Sequence, residues 1–222
     1  MRKVVLAVLI LSGLAGKSLA QAKTPFGQSD PKAKEILDAA SKQFKTYKTV
    51  KADFVLKINT ADQKLLDSKT GTVYLKGTRY KVLLNGQEIY CDGETIWTYN
   101  KDTKEVQINT YTPDNGTITP SRLFTNFYDK EFLYRLDGTA SYKGKTTDVI
   151  EMTPLDKSKP FFKVVVQVDR SSHNIVNTKI FEKGGNQYTY EVTSFTTNMA
   201  LDDKSFVFDT AAHPGVDVVD LR

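Results

Sequence analysis

Val50-Lys51-Ala52-Asp53-Phe54-Val55-Leu56-Lys57-Ile58-Asn59 decides the fold. Val50, Ala52, Phe54, Leu56 and Ile58 alternate with Lys51, Asp53, Lys57 and Asn59, and only Val55 breaks the pattern. A period of two sends successive side chains to opposite faces of a strand, so this segment is oily on one side and charged on the other. The same alternation returns in Tyr80, Val82 and Leu84 against Arg79 and Lys81, and in Val106 and Ile108 against Glu105 and Gln107. It returns again in Phe162, Val164, Val166 and Val168 against Lys163 and Gln167, and in Tyr188, Tyr190 and Val192 against Gln187, Thr189 and Glu191. One-sided strands imply an antiparallel sheet with a single buried face.

Outward from these strands lie short turn-rich pieces: Asn85-Gly86, Asp92-Gly93, Asn100 to Lys104, Asp137-Gly138, Lys143-Gly144, Ser171 to Asn174 and Gly184-Gly185-Asn186. Connections this short favour hairpins and meanders over crossovers, which predicts one continuous sheet. One helix precedes it and a second interrupts it. Asp30-Pro31 opens the first, with Asp30 as cap, Pro31 in the first turn, and Ala33, Ile36, Leu37, Ala40, Phe44 and Tyr47 at helical spacing. Thr119-Pro120 opens the second, a short insert through Leu123, Phe124 and Phe127. Together they are expected to cover the oily face of a curved sheet, which would otherwise be an exposed apolar patch. The fold class is mainly β with helices added, a sheet with a lid.

The N-terminus reads as an address. Arg2 and Lys3 precede an apolar run from Val4 to Leu14, and Ser18-Leu19-Ala20 places small residues at the cleavage positions of a secretory signal. The expected organisation is a signal peptide over 1–20, a polar lead-in over 21–30, and a single domain over 31–222. A lipid anchor would need a cysteine directly after cleavage. Gln21 stands there instead, and the single cysteine is Cys91. No other stretch approaches the roughly 20 apolar residues of a membrane span.

Removing residues 1–20 takes away Arg2, Lys3 and Lys17 and no acids, so the formal net charge falls from +5 to +2. The remaining Lys and Arg alternate with Asp and Glu, which argues against a phosphate-tracking stripe and against nucleic acid as a partner. With one cysteine the chain has no intramolecular disulfide and depends on its apolar core.

Catalytic groups are sparse. Asp169, Ser171, Ser172 and His173 supply the residue types of a hydrolase triad, but they crowd into one expected hairpin turn, where Asp and Ser are ordinary turn formers. His213 has no Cys or His at ligand spacing, so no metal site is expected. Cys91 reads as a small buried strand residue. No catalytic residue and no cofactor is expected. Aromatic residues are plentiful by comparison, with twelve Phe, eleven Tyr and one Trp. An ordinary sheet core and a ligand cavity both fit that supply.

Several segments resemble the LolA family of outer-membrane lipoprotein carriers. Val50-Lys51-Ala52-Asp53-Phe54 is similar to the family's early strand, as are Gly71-Thr72-Val73-Tyr74-Leu75-Lys76 and Tyr80-Lys81-Val82-Leu83-Leu84 to later ones. Cys91-Asp92-Gly93-Glu94-Thr95-Ile96-Trp97-Thr98-Tyr99-Asn100 resembles the family's most specific signature. Thr119-Pro120-Ser121-Arg122-Leu123, Phe206-Val207-Phe208 and Pro214-Gly215-Val216-Asp217-Val218 follow in the family's order.

The resemblance implies an incomplete antiparallel β-barrel closed by short helices, acting in the periplasm as a monomer. It implies a carrier that accepts acylated lipoproteins from an inner-membrane ABC transporter and takes them to the outer membrane, and it leaves the outer-membrane acceptor open. It makes the oily side of the strands a cavity wall, formed by Phe54, Leu56, Tyr80, Val82, Leu84, Trp97, Phe162, Val164 and Val166. Leu123, Phe124 and Phe127 become lid residues. Where typical members have Lys-Arg-Pro, this chain has Lys76-Gly77-Thr78, and Arg79 becomes the candidate lid contact in place of the family's arginine. The alternatives are a lipid-sensing regulator or outer-membrane acceptor of the same fold, a periplasmic hydrolase, and a structural β-protein with a merely packed core.

Overall fold

The computed structural model describes residues 27–112 and 128–222. Helix α1 (Pro31–Lys45) starts where Asp30 accepts the Lys32 N–H at 2.8 Å. The same residue pins that end to the sheet, because its backbone N–H donates to the Tyr134 carbonyl and its carboxylate accepts the Leu136 N–H. Six strands follow: β1 (Val50–Asn59), β2 (Leu65–Lys76), β3 (Arg79–Leu84), β4 (Gln87–Cys91), β5 (Thr95–Asn100) and β6 (Glu105–Thr110). A one-turn helix, α2 (Tyr128–Glu131), leads into β7 (Phe132–Tyr142), β8 (Lys145–Pro154), β9 (Phe161–Asp169), β10 (Ile175–Glu182) and β11 (Gln187–Thr197). The C-terminal segment makes two short 3₁₀ turns, Asp203–Phe206 and Thr210–Ala212, and then β12 (Asp217–Asp220).

All twelve strands join one sheet in the order β12-β6-β5-β4-β3-β2-β1-β11-β10-β9-β8-β7. Two meanders are joined where β1 pairs with β11, and the free edges are β12 and β7, so the sheet is not closed into a barrel. Every pairing is antiparallel except β12 with β6, which is parallel. α1 crosses one face, here called the inner face, packing Ala33, Leu37 and Ala40 against the β7–β10 half. Its far end is held at the β9–β10 turn, where the Tyr47 hydroxyl meets Asn174 Oδ1 at 3.1 Å.

Two expectations change at bulges. Asp137-Gly138 is not a turn. It sits inside β7, where the register with β8 shifts between Leu136 and Gly138, and glycine there takes a φ of 118°. In β9 the register shifts opposite Phe181 and Glu182, so that Lys163 and Phe161 are paired and Phe162 is the extra residue. The lid residues Leu123, Phe124 and Phe127 lie outside the described residues.

Gly71 shows how closely the inner face is packed. A Cβ there would stand 2.5 Å from Phe54 Cζ and 2.9 Å from the Leu83 carbonyl, so the absence of a side chain lets the Phe54 ring lie against the β2 backbone.

Candidate functional site

The ladder registers place the expected wall residues. Phe54 and Leu56 on β1 face inward, as do Tyr80, Val82 and Leu84 on β3, which lie across from Leu75, Val73 and Gly71. On the other half, Val164 and Val166 lie across from Met152 and Ile150 and share that face. These residues fall into two clusters. Val164 and Val166, 0% and 1% exposed, belong to the core closed by α1. Phe54, Leu56, Tyr80 and Val82 belong to the β1–β4 cluster, with Leu84 packed at its margin.

The two halves differ at their margins. Among the described residues, the α1 half has three partly buried hydrophobics at its margin, Ile36, Leu136 and Ile180. The β1–β4 half has eleven, among them Ile58, Leu84, Ile89, Tyr111, Tyr188 and Tyr190. Both are clusters of buried residues, Phe54, Leu56, Tyr80 and Val82 being 4–8% exposed, and the β1–β4 cluster has the wider margin of partly buried side chains. Burial pushes the phenols of Tyr80 and Tyr190 and the thiol of Cys91 up, so none of them ionises near neutral pH and the wall remains uncharged there.

Val73, Leu75 and Ile89 line the same half but are absent from the wall expected from sequence. The alternation of Val73 and Leu75 is visible in the sequence. Tyr74 between them, an aromatic on the outer face, blurs it.

Three expected site residues are placed elsewhere. Phe162 points away from the inner face and is 49% exposed, because the bulge turns Phe161 inward to stack on Phe132 at 6.2 Å. Trp97 pairs with Tyr90 and Ile108 on the outer face. There it packs beside Tyr99, Val106 and Phe208 in a small second core covered by the C-terminal segment. Arg79 also stands on the outer face. Its described partners are Asp203 at 2.8 Å and the Asp92 carbonyl at 3.1 Å, so it fastens the C-terminal segment, which Lys76 also holds through Asp203 at 2.7 Å.

The hydrolase-like residues form a turn. Asp169, 1% exposed, accepts the Ser171 N–H and hydroxyl on one oxygen and pairs with Lys145 at 2.9 Å through the other. Burial alone would raise its pKa, but Lys145, Ser171 and Ser172 outweigh that and hold the carboxyl well below the usual carboxylate range. His173 has a φ of 55° and donates its backbone N–H to the Asp169 carbonyl, the geometry of a tight turn. Asp169 is thus the buried anchor of the turn. His213 lies against Phe208 at 4.4 Å and Tyr99 at 4.8 Å, with Nδ1 2.7 Å from the Asp209 carbonyl. No group of three or more His, Cys, Asp or Glu is placed to hold a metal among the described residues.

The sheet is open and mostly antiparallel, with a helix across one oily face, and the Asp92-Gly93 turn leads into Trp97 on β5. The profile described as outer membrane lipoprotein carrier protein LolA matches residues 45–209. The chain belongs to the LolA family. No curated protein sequence matches it. Among solved structures, this LolA-family chain is similar to an uncharacterized conserved protein from Thermus thermophilus, with a TM-score of 0.57 and 12% identity over 85% of this chain and 99% of that one. It is similar to the lipoprotein LppX of Mycobacterium tuberculosis, with a TM-score of 0.51 and 14% identity over 78% and 100%. It is also similar to MucB, with a TM-score of 0.50 and 15% identity over 87% and 67%. At these identities the likeness is one of fold. The LolA family is described as one of outer-membrane lipoprotein carriers.

Proposed function

We propose that this LolA-family protein is a periplasmic carrier that shields the acyl chains of lipoproteins against the inner face of its β1–β4 half and moves them from the inner to the outer membrane. The observation that carries this reading is the contrast between the halves: among the described residues, eleven partly buried hydrophobics border one cluster and three the other. Each sheltered methylene gains about 0.8 kcal/mol, so a sixteen-carbon chain gains on the order of 12 kcal/mol. Three such chains held with full complementarity would exceed the practical affinity ceiling of about 20 kcal/mol and would not be released. A wall that is loosely completed suits a carrier better than a tight pocket. By the family resemblance, the donor is an inner-membrane ABC transporter.

The exported protein, purified without detergent and analysed by native mass spectrometry, is expected to retain acyl-chain ligands and to take up a fluorescent fatty-acid probe. Protein that carries no ligand and fails to take up the probe would defeat the reading in favour of a packed structural core.

A further inference from the structure

Seven large hydrophobic side chains are strongly exposed among the described residues. Three belong to the C-terminal segment. The other four, Leu65, Leu66, Leu155 and Phe162, are each 49–55% exposed and all lie at one end of the sheet. Leu65 begins β2, Leu155 follows β8 and Phe162 begins β9, and the intervening strand ends of β1, β11 and β10 fill the space between them in the sheet order.

The loops at that end are tied into a single rim. Gln63 of the β1–β2 hairpin bonds Gln187 at the start of β11 at 2.8 Å and Lys179 of β10 at 3.1 Å. Lys183 of the β10–β11 turn donates its backbone N–H to the Pro160 carbonyl at 2.9 Å and its ammonium to the Lys157 carbonyl. The leucines and the phenylalanine therefore share one connected surface.

The charge there has a sign. Segments 60–66, 128–131, 155–163 and 179–186, the second tied to Leu155 through the Glu131 carbonyl, contain seven lysines and five acids, a net +2, with Lys159 buried on Glu131 at 2.7 Å and Lys163 3.7 Å from Glu151. Lys163 and Lys179 lie 4.3 and 5.0 Å from the centroid of the half-buried Phe181 ring, which packs against the exposed Phe162 at 6.1 Å. Exposed leucine and phenylalanine interleaved with lysine is the composition that sits at a bilayer surface, with apolar side chains in the headgroup boundary and cations on phosphate. The apolar wall reaches this same end, where Ile58 and Tyr188 face each other one residue from the rim.

We propose that this rim docks the protein on the surface of an anionic phospholipid bilayer, bringing the open end of the wall to the lipid. The proposal rests on the carrier reading for its purpose but not for its test. The exported protein, its N-terminus verified by intact mass, is floated with protein-free vesicles of phosphatidylethanolamine and phosphatidylglycerol. Binding is expected, and it should weaken with salt as surface charge is screened. Replacing Leu65, Leu66, Leu155 and Phe162 together with Ser should reduce binding about tenfold or more. Lys157→Glu with Lys183→Glu should reduce it at low salt. Leu221→Ser, at an equally exposed leucine of the C-terminal segment, should not.

Uptake of the soluble fatty-acid probe should be unchanged in every variant, which also reports that each one is folded. Wild-type protein that ignores the vesicles, or that binds only membranes still containing their own proteins, overturns the proposal. So do rim variants that bind like wild type, or a Leu221→Ser loss of equal size. Vesicle binding without probe uptake would leave the rim standing and remove the carrier reading.

Discussion

Asp169 shows how a residue that reads as a turn former can be an anchor. Sequence places it among Ser171, Ser172 and His173, where Asp and Ser need no further explanation, and nothing local reveals that Lys145, on a neighbouring strand, reaches it. Because its carboxyl is held below the usual range when folded, it contributes stability that is complete above its unfolded pKa of about 3.9 and is lost as pH falls below that value. Asp169→Ala is expected to cost about 2 kcal/mol at pH 7, since it strands Ser171 and frees Lys145. In denaturant melts from pH 7 to pH 2, the gap between wild type and Asp169→Ala should narrow through the acid range. A gap that stays constant would mean that the carboxylate charge has no part in holding the turn. His173→Ala should leave lipid binding intact, because the described role of His173 lies in its backbone.

At the scale of elements, alternation is legible wherever a strand has one dry face and one wet face. That is why β1, β3 and β11 read correctly from residues 50–59, 80–84 and 188–192. It is ambiguous where both faces are covered. In β5 the run Ile96, Trp97 and Tyr99 places apolar groups on both sides, because the C-terminal segment buries the outer one, and this is what sends Trp97 to the wrong face in a reading from sequence. A bulge defeats alternation differently: one extra residue at the start of β9 exchanges Phe161 and Phe162. The C-terminal segment therefore forms a second structural unit on the outer face. It is capped by Asp202 and Asp209, tied by Lys76 and Arg79 to Asp203, and completed by β12 along the edge of β6. Phe208, 5% exposed against Tyr90 and Tyr99, is its keystone. Phe208→Ala is expected to lower stability by about 3 kcal/mol while leaving fatty-acid probe uptake unchanged, because the side chain is on the face away from the wall. A loss of uptake larger than the loss of folded protein would show that the two faces are coupled.

For the whole molecule, the open question in the sequence is whether its aromatic and aliphatic wealth fills a core or lines a cavity. Composition and periodicity fit both. The structure divides the inner face instead of treating it as one surface, and the division can be tested with the same chemical change on each side. Val164 is 0% exposed beneath α1, with Met152 and Ile180 as its cross-strand neighbours. A carboxylate there has no charged partner and no route to water, so Val164→Glu should cost about 4 kcal/mol or more, a large part of the 5–15 kcal/mol typical of a domain. Val82, 7% exposed, lies between Val73 and Ile89 on the half whose margin is the proposed entry for the acyl chain and for water. Val82→Glu should remain folded with a penalty of about 1–2 kcal/mol, and should lose probe binding by about tenfold or more, because the charge would stand in the proposed path of the acyl chain. Thermal melts and probe displacement on the two variants separate the outcomes. If Val82→Glu unfolds as readily as Val164→Glu, the β1–β4 half is a second closed core and the wall does not exist. If it melts like wild type and still binds the probe, the acyl chains lie elsewhere.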